Sequence, residues 1–268
     1  MRMKYASNDF SKDDLPLNRR KQFFAIYKNE WKTFLLIGLI FLIPLAIYIV
    51  LQFMRWGFIA NLIDASSSED IASSKVSMVM VEVIYQTILI PIYVGFSIVL
   101  AGASRVIQRL VYGEGLLFKG DFFYGIKHNF KHILVFTLIF GFVKALAVFG
   151  TSILNTNGGP IESVLSGVLE ATFSFVLVPV LFYACSFSVT YKMKIGQELS
   201  NGFKLFFYTL LVPLLFAAIL FVFKYLDVFY LHKALVVIPI VEVVFTLVIL
   251  PILLLIWHLY ATSLFDKH

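Results

Sequence analysis

One ten-residue pattern occurs three times in the chain, as EVIYQTILIP at residues 82–91, EATFSFVLVP at 170–179 and EVVFTLVILP at 242–251. In each copy a glutamate is followed by an aromatic residue three positions on, a small or amide polar residue four on, an aliphatic residue seven on and a proline nine on. Self-similarity at fixed spacing is the signature of a repeated structural unit. The pattern therefore predicts three copies of one helical element.

The pattern lies in a chain that is strongly apolar. Of the 268 residues, 60% are hydrophobic, 17% are aromatic and only 14% are charged, and the mean hydropathy is +0.90. Because a soluble domain carries about 25% charged residues, this composition excludes a water-soluble globular domain and a disordered chain. We therefore expect an all-α, polytopic membrane protein that has the lipid bilayer as its surroundings.

Six apolar runs are long enough to cross about 30 Å of hydrocarbon as helices. They cover residues 33–54, 76–104, 133–154, 161–191, 205–223 and 234–265. The glutamate-to-proline patterns fall in the second, fourth and sixth runs, and Lys28, Lys127 and Lys204 lie beside aromatic residues ahead of the odd-numbered runs. The sequence predicts six transmembrane helices arranged as three parallel helical-hairpin repeats. These cover about 21–112, 113–194 and 195–268, in a single domain (21–268) that follows a polar tail (1–20).

Basic residues are distributed unequally between the connecting segments. Most of the 22 Lys and Arg residues precede the first run or lie between the second and third runs and between the fourth and fifth runs, whereas residues 57–74 and 155–160 contain none. Positive charge marks the cytoplasmic side of a membrane protein. Both termini are therefore predicted to be cytoplasmic, and the basic residues mark membrane edges rather than a patch for nucleic acid.

The three repeated glutamates occupy costly positions in the middle of apolar runs. A carboxylate in hydrocarbon costs about 3 kcal/mol on the insertion scale, so Glu82, Glu170 and Glu242 are expected to turn into the bundle as a pseudo-threefold cluster. The residue four positions on shares the helix face of each glutamate. The complete candidate polar cluster is Glu82, Gln86, Glu170, Ser174, Glu242 and Thr246, with Lys144 and Lys224 as the available counter-charges.

Two interpretations of this cluster stay open. The polar side chains can join helices by hydrogen bonds, which contribute about 0.6–2 kcal/mol each, or they can bind a ligand or an ion. Pro91, Pro179 and Pro251 follow the glutamates by nine residues and therefore lie on the opposite side of each helix. A proline has no N–H group to donate to the carbonyl four residues before it. A kink is therefore expected in each of the three helices.

A second feature is the amphipathic segment 118–132. Phe122, Ile126 and Phe130 fall on one helical face, while Lys127 and Lys131 fall largely on the other. This arrangement is typical of an interfacial helix, here one that leads into the third run and offers its basic side to anionic lipid head groups. A simple juxtamembrane anchor that obeys the charge rule explains the same residues, so both interpretations are kept.

Signatures of enzymes are absent from the sequence. It contains no Gly-x-Ser-x-Gly, no His-Glu-x-x-His and no phosphate-binding Gly-x-x-x-x-Gly-Lys. His128 and His132 share a helix face, but no acid or cysteine completes a metal-binding set with them. We therefore expect no catalytic residues, no metal and no cofactor.

The stretch 101–140 combines a helix end, a basic run, a Gly-Glu turn and the segment FFYGIKHNFK (122–131). It resembles the YesL-like family of bacterial six-helix integral membrane proteins, and the matching positions are Gly113, Glu114, Phe122, Phe123, Lys127, Asn129, Phe130 and Lys131. A weaker similarity covers 191–211, while the N-terminal segment and the glutamate-to-proline patterns lie outside the resemblance. The resemblance implies a protein of the bacterial cytoplasmic membrane without catalytic residues, whose relatives are often linked with carbohydrate uptake systems.

Two functional hypotheses follow. The first is a non-enzymatic accessory or scaffold that helps a solute-transport system assemble, with transport-system subunits as its partners. The second is a transporter of a small solute, ion or proton that uses the intramembrane glutamates.

Overall fold

The computed structural model describes residues 19–65, 71–157, 160–230 and 237–265, and these residues form helices without a β-sheet. In chain order the helices are α1 (Arg19–Ala65), α2 (Ile71–Ile88), α3 (Ile90–Val111), α4 (Phe118–Asn157), α5 (Pro160–Thr172), α6 (Val178–Thr190), α7 (Ile195–Tyr208), α8 (Leu211–Tyr230), α9 (Val237–Val244) and α10 (Leu250–Phe265). A first π turn (Phe173–Leu177) joins α5 to α6, and a second π turn (Phe245–Ile249) joins α9 to α10.

Within these ranges, five helical stretches are long and apolar enough to cross a membrane. They are Arg19–Asn61, Val79–Val111, Phe118–Thr151, Val164–Thr190 and Pro239–Phe265. A sixth crossing is obtained if α7 and the first half of α8 are counted as one bent span. The protein is therefore a multi-pass membrane protein, and the expectation of an all-α membrane fold is confirmed, while the arrangement as parallel repeats stays a prediction.

The fifth apolar run differs from its predicted form of one helix over 205–223. The chain turns by 103° between α7 and α8, so residues 205–208 belong to a helix that runs across the direction of α8. Pro213 explains the turn. It has no N–H group to donate to the Thr209 carbonyl, and its ring would clash with that carbonyl in a continuous helix. The Thr209 hydroxyl instead binds the Leu205 carbonyl and the Tyr183 hydroxyl, each at 2.7 Å.

The segment 118–132 is the first part of α4 and not a separate helix, and its place at the membrane interface stays a prediction. Helix α4 has 40 residues, which gives a length of about 60 Å, twice the hydrocarbon thickness. Its early turns pack on α3, where the Phe122 ring covers Gly102 and Gly125 lies against Ala101 and Arg105. Close packing of this kind keeps the segment in line with the rest of α4.

Helix α3 occupies the centre of the bundle in the half that is predicted to be cytoplasmic. Every residue from 101 to 108 is buried, and the surrounding apolar side chains come from α1, α4 and α10, including Ile37, Phe122 and Leu254. A neighbouring cluster on α6, α7, α8 and α10 surrounds Trp257 and Tyr183. Because α1 also contacts α10 and the second π turn, the first helix packs directly on the last described one.

Candidate functional site

The polar side chains of the predicted membrane interior meet mainly where α1, α2, α4 and α9 approach one another. We call this group the Glu82 cluster, and its members are Tyr48, Arg55, Glu82, Tyr85, Gln86, Lys144 and Glu242.

An ion pair between α1 and α2 holds the cluster together. Arg55 Nε donates to Glu82 Oε1 at 2.8 Å, and a terminal guanidinium nitrogen of Arg55 also binds that oxygen. The guanidinium carbon lies 5.2 Å from the centre of the Tyr85 ring. Such short, charge-assisted contacts are the strong hydrogen bonds of proteins, so α1 and α2 are tied together here.

The counter-charge of Glu82 is therefore Arg55, which is not among the residues predicted from the sequence, while the assignment of Lys144 and Lys224 as counter-charges of the cluster stays a prediction. Arg55 lies one residue beyond the predicted first run, and α1 continues through it to Ala65. Lys144 Nζ lies 5.9 Å from the Tyr48 ring centre and 6.0 Å from the Phe140 ring centre. The Lys224 side chain lies outside the described residues.

Two of the three repeated glutamates act electrostatically on a common tyrosine, Tyr85. The hydroxyl groups of Tyr48 and Tyr85 share a hydrogen bond. The Glu242 carboxylate acts electrostatically on both hydroxyls, and the Glu82 carboxylate acts on that of Tyr85. Since the side chain of Glu170 is outside the described residues, convergence of all three acids stays a prediction.

The three polar residues that follow the glutamates are all buried. Gln86 lies one turn after Glu82 on α2, whereas Ser174 and Thr246 belong to the first and second π turns. Among the described residues, no hydrogen-bond partner is found for the Ser174 hydroxyl or for Gln86 Oε1. Gln86 is counted in the Glu82 cluster because the two side chains line the same crevice.

A crevice of about 430 Å³ adjoins the cluster between α2 and α4. Glu82, Gln86 and Tyr93 contribute its polar side chains, and Leu138, Phe142 and Phe149 are among its apolar ones. The crevice lies entirely within helices that meet the membrane-span criteria.

Irregular helical turns stand directly before the three repeated prolines. Leu89 separates α2 from α3 two residues before Pro91, the first π turn ends two residues before Pro179, and the second π turn ends two residues before Pro251. π turns in α-helices often occur at functional positions. The second π turn also packs closely on α1. A Cβ on Gly38 of α1 would overlap the backbone of Leu247 in this turn, so the contact requires glycine.

A second group of buried polar residues lies at the predicted cytoplasmic ends of α3, α4 and α7. Glu198 is completely buried and binds His132 Nδ1 at 2.7 Å. Arg105 donates to Gln108 Oε1 at 2.7 Å, and its guanidinium lies 5.6 Å from the centre of the Tyr124 ring. The His132–Glu198 contact joins the second and third predicted hairpins, and the contact of Arg105 with Tyr124 joins the first and second.

Sequence reasoning missed this second group, although a signal was present. Gln22, Asp121 and Glu198 each lie six residues before one of the repeated lysines. All three are buried, and each binds another segment at the predicted cytoplasmic side: Gln22 donates to the Val111 carbonyl at 2.6 Å, and Asp121 lies 3.3 Å from Arg109. Extending the comparison of the odd-numbered helices by two turns would have found them.

The residues named for the interfacial helix divide between the core and the surface. Phe122 is buried, Ile126 and Phe130 are partly buried, and Lys127 and Lys131 are exposed. Two sides of different polarity are therefore present, but the apolar side packs on protein.

In the described ranges, no group of three His, Cys, Asp or Glu side chains is arranged to hold a metal ion.

Comparison with known proteins gives no relative: no protein-family model, no curated protein and no solved structure matches the chain.

Proposed function

We propose that this multi-pass protein is a non-enzymatic accessory of the bacterial cytoplasmic membrane that scaffolds a solute-transport system, such as one for carbohydrate uptake. The proposal starts from the resemblance of the segment 101–140 to the YesL-like family. Its structural support is the close packing of that same segment. Transport-system subunits are the partners that the proposal requires.

The observation that carries the proposal is the complete burial of α3 from residue 101 to residue 108. This part of α3 is enclosed by α1, α4, α6 and α10. Interiors packed in this way leave few spaces larger than a water molecule. A solute that crossed the bundle would have to separate these helices, whereas a scaffold needs them to stay together.

The charges of the Glu82 cluster are consistent with the same role. Glu82 is bound to Arg55, and the tyrosines at the Glu242 carboxylate are hydrogen-bonded to each other. Polar contacts between transmembrane helices stabilise the bundle by about 0.6–2 kcal/mol each. In a scaffold the cluster therefore fixes how α1, α2 and α9 pack.

Flux measurements test the proposal against the transport alternative. The full chain would be reconstituted in vesicles of phosphatidylethanolamine and phosphatidylglycerol, and the uptake of protons and of a labelled disaccharide would be compared with protein-free vesicles. We expect equal rates for both. Uptake above the protein-free rate that is lost in the Glu82→Gln, Glu170→Gln, Glu242→Gln triple variant would overturn the scaffold role.

A second arm examines the accessory role in cells. Removal of the gene from its host is expected to lower sugar uptake, and expression of the full chain should restore it. The triple variant is also expected to restore uptake in proportion to the amount of folded protein in the membrane, because its role is structural. Sugar uptake that is unchanged without the gene would contradict the proposal.

The second candidate function is a small-solute, ion or proton-coupled transporter. The observation that favours it is the position of the Glu82 cluster beside the crevice between α2 and α4. The irregular turns before Pro91, Pro179 and Pro251 would supply places where helices bend during gating. The flux experiment above separates this candidate from the scaffold.

The proposed orientation, with both termini in the cytoplasm, makes a labelling prediction. In a Cys185→Ala background, Asn61→Cys on α1 should react with a membrane-impermeant maleimide in intact cells, whereas Ser200→Cys on α7 should react only after permeabilisation. Both positions are exposed, and the natural Cys185 is buried. Labelling is read as the mass shift of the protein on a gel, and the opposite pattern would show the inverted orientation.

A further inference from the structure

The crevice between α2 and α4 opens towards the bilayer. Its wall includes Phe142, which is 67% exposed, and the exposed side chains of Val83 and Leu146. Exposed apolar side chains on a transmembrane helix contact lipid, so the opening is accessible to lipid from the side. A molecule can therefore reach the crevice from within the membrane.

The inner wall of the crevice carries three polar atoms with unused hydrogen-bonding capacity. Glu82 is 8% exposed, Gln86 9% and Tyr93 8%. Glu82 Oε2, Gln86 Oε1 and the Tyr93 hydroxyl have no hydrogen-bond partner among the described residues. Polar atoms at membrane depth require a partner, because hydrocarbon supplies none.

The chemistry of these atoms defines the partner. Two of them are acceptors, and the tyrosine hydroxyl both donates and accepts, so the complementary molecule must donate hydrogen bonds. Among the described residues that line the crevice, Glu82 is the charged one, and its charge is balanced by Arg55 through Oε1, so the crevice wall does not offer an unbalanced charge to an ammonium or a phosphate group. A neutral group with free hydroxyls fits this surface.

The volume of the crevice limits how large the apolar part of a bound molecule can be. An apolar cavity of about 150 Å³ accommodates one benzene molecule, and the crevice, at about 430 Å³, is nearly three times as large. Leu138, Ala145 and Phe149 of α4 continue the apolar wall along the helix. The space is sufficient for a hydroxyl-bearing head and the first part of a hydrocarbon chain.

We propose that this crevice is a binding site for a neutral, hydroxyl-bearing acyl lipid of the mono- or diacylglycerol class, whose hydroxyls bind Glu82, Gln86 and Tyr93 and whose chain lies along α4. The site is independent of the scaffold role, since it involves a lateral opening and not the packed half of α3. It gives the repeated glutamate of α2 a ligand as well as an ion pair.

Photo-crosslinking tests the proposal with a monoacylglycerol whose acyl chain carries a diazirine. The full chain in phosphatidylcholine vesicles would be irradiated with this probe, and labelled peptides would be identified by mass spectrometry. We expect labelling within residues 82–93 and 138–149, competed by unlabelled monoacylglycerol. A diazirine fatty-acid methyl ester, which has no donor, should label these residues about fivefold less, as expected for the loss of about one hydrogen bond.

Three variants make the test specific. Tyr93→Phe removes the hydroxyl but keeps the ring that packs 5.9 Å from Phe140, and it should reduce monoacylglycerol labelling about fivefold. Ala145→Phe fills the crevice without touching the Arg55–Glu82 pair and should abolish the labelling. Leu215→Phe, on the exposed side of α8, is the matched control and should leave it unchanged.

Folding is checked separately from binding. Wild type and variants would be compared by thermal unfolding in detergent, with monoacylglycerol and with its methyl ester analogue, and only monoacylglycerol should raise the midpoint of the wild type. Equal labelling by both probes would mean that the crevice is ordinary lipid-facing surface and would overturn the proposal. Reaction of a Val148→Cys variant with a water-soluble maleimide would mean that water fills it, with the same consequence.

Discussion

Replacing Arg55 with alanine is expected to lower the free energy of unfolding by about 3 kcal/mol. The change leaves the buried Glu82 carboxylate without the guanidinium that binds it, and an uncompensated carboxylate in apolar surroundings is strongly unfavourable. The measurement is unfolding of the purified protein in mixed micelles with increasing amounts of sodium dodecyl sulfate, followed by circular dichroism.

Two controls isolate the ion pair. Adding Glu82→Gln to Arg55→Ala should recover most of the lost stability, because a neutral amide is less costly to bury than a charge. Lys28→Ala removes an exposed cation from the same helix and should change stability by about 0.5 kcal/mol or less. If Arg55→Ala and Lys28→Ala had equal effects, the ion pair would not stabilise the bundle.

Replacing Gly38 with alanine is the second change with a large expected effect, a destabilisation of about 1–3 kcal/mol. The added methyl group would overlap the Leu247 carbonyl and Cα in the second π turn. Backbone atoms cannot move aside as a flexible side chain can, so α1 must shift away from α9 and α10. The same unfolding measurement in mixed micelles detects the loss.

Gly57 offers a matched control on the same helix. A Cβ at Gly57 meets no other atom within 4 Å, so Gly57→Ala should be neutral or stabilise the helix by as much as about 1 kcal/mol. The two substitutions are chemically identical and differ only in what surrounds them. Equal stability of Gly38→Ala and Gly57→Ala would contradict the close contact of α1 with the second π turn.

Hydropathy predicts most of the membrane helices because length and apolar composition decide whether a segment can cross the bilayer. It misplaces the fifth run, since hydropathy does not register the effect of Pro213 on Thr209. It also gives no sign that segment 118–132 continues in line with α4. That outcome depends on Gly102 and Gly125, which let α3 and α4 approach closely.

The candidate site is predictable only in part. The cost of burying a carboxylate indicates Glu82 and Glu242 from sequence alone, and both act electrostatically on Tyr85, while Glu242 also acts on Tyr48. The sequence does not indicate Arg55 as a site residue, because Arg55 lies just outside an apolar run, where positive charges are common. The sequence does not indicate Glu198 either. Its burial arises from the packing of α7 on α6 and α4, which hydropathy along the chain does not describe.

The contact between Gly38 and the second π turn has a consequence for synthesis in the cell. The two partners lie about 200 residues apart in the chain, so at about 5–20 residues per second the ribosome needs about 10–40 s to supply the second one. During that interval α1 is inserted in the bilayer with its Gly38 face in contact with lipid or with the insertion machinery. A ribosome that stalls before residue 247 thus leaves a nascent chain whose first helix lacks this native neighbour, a surface by which membrane quality control can recognise it.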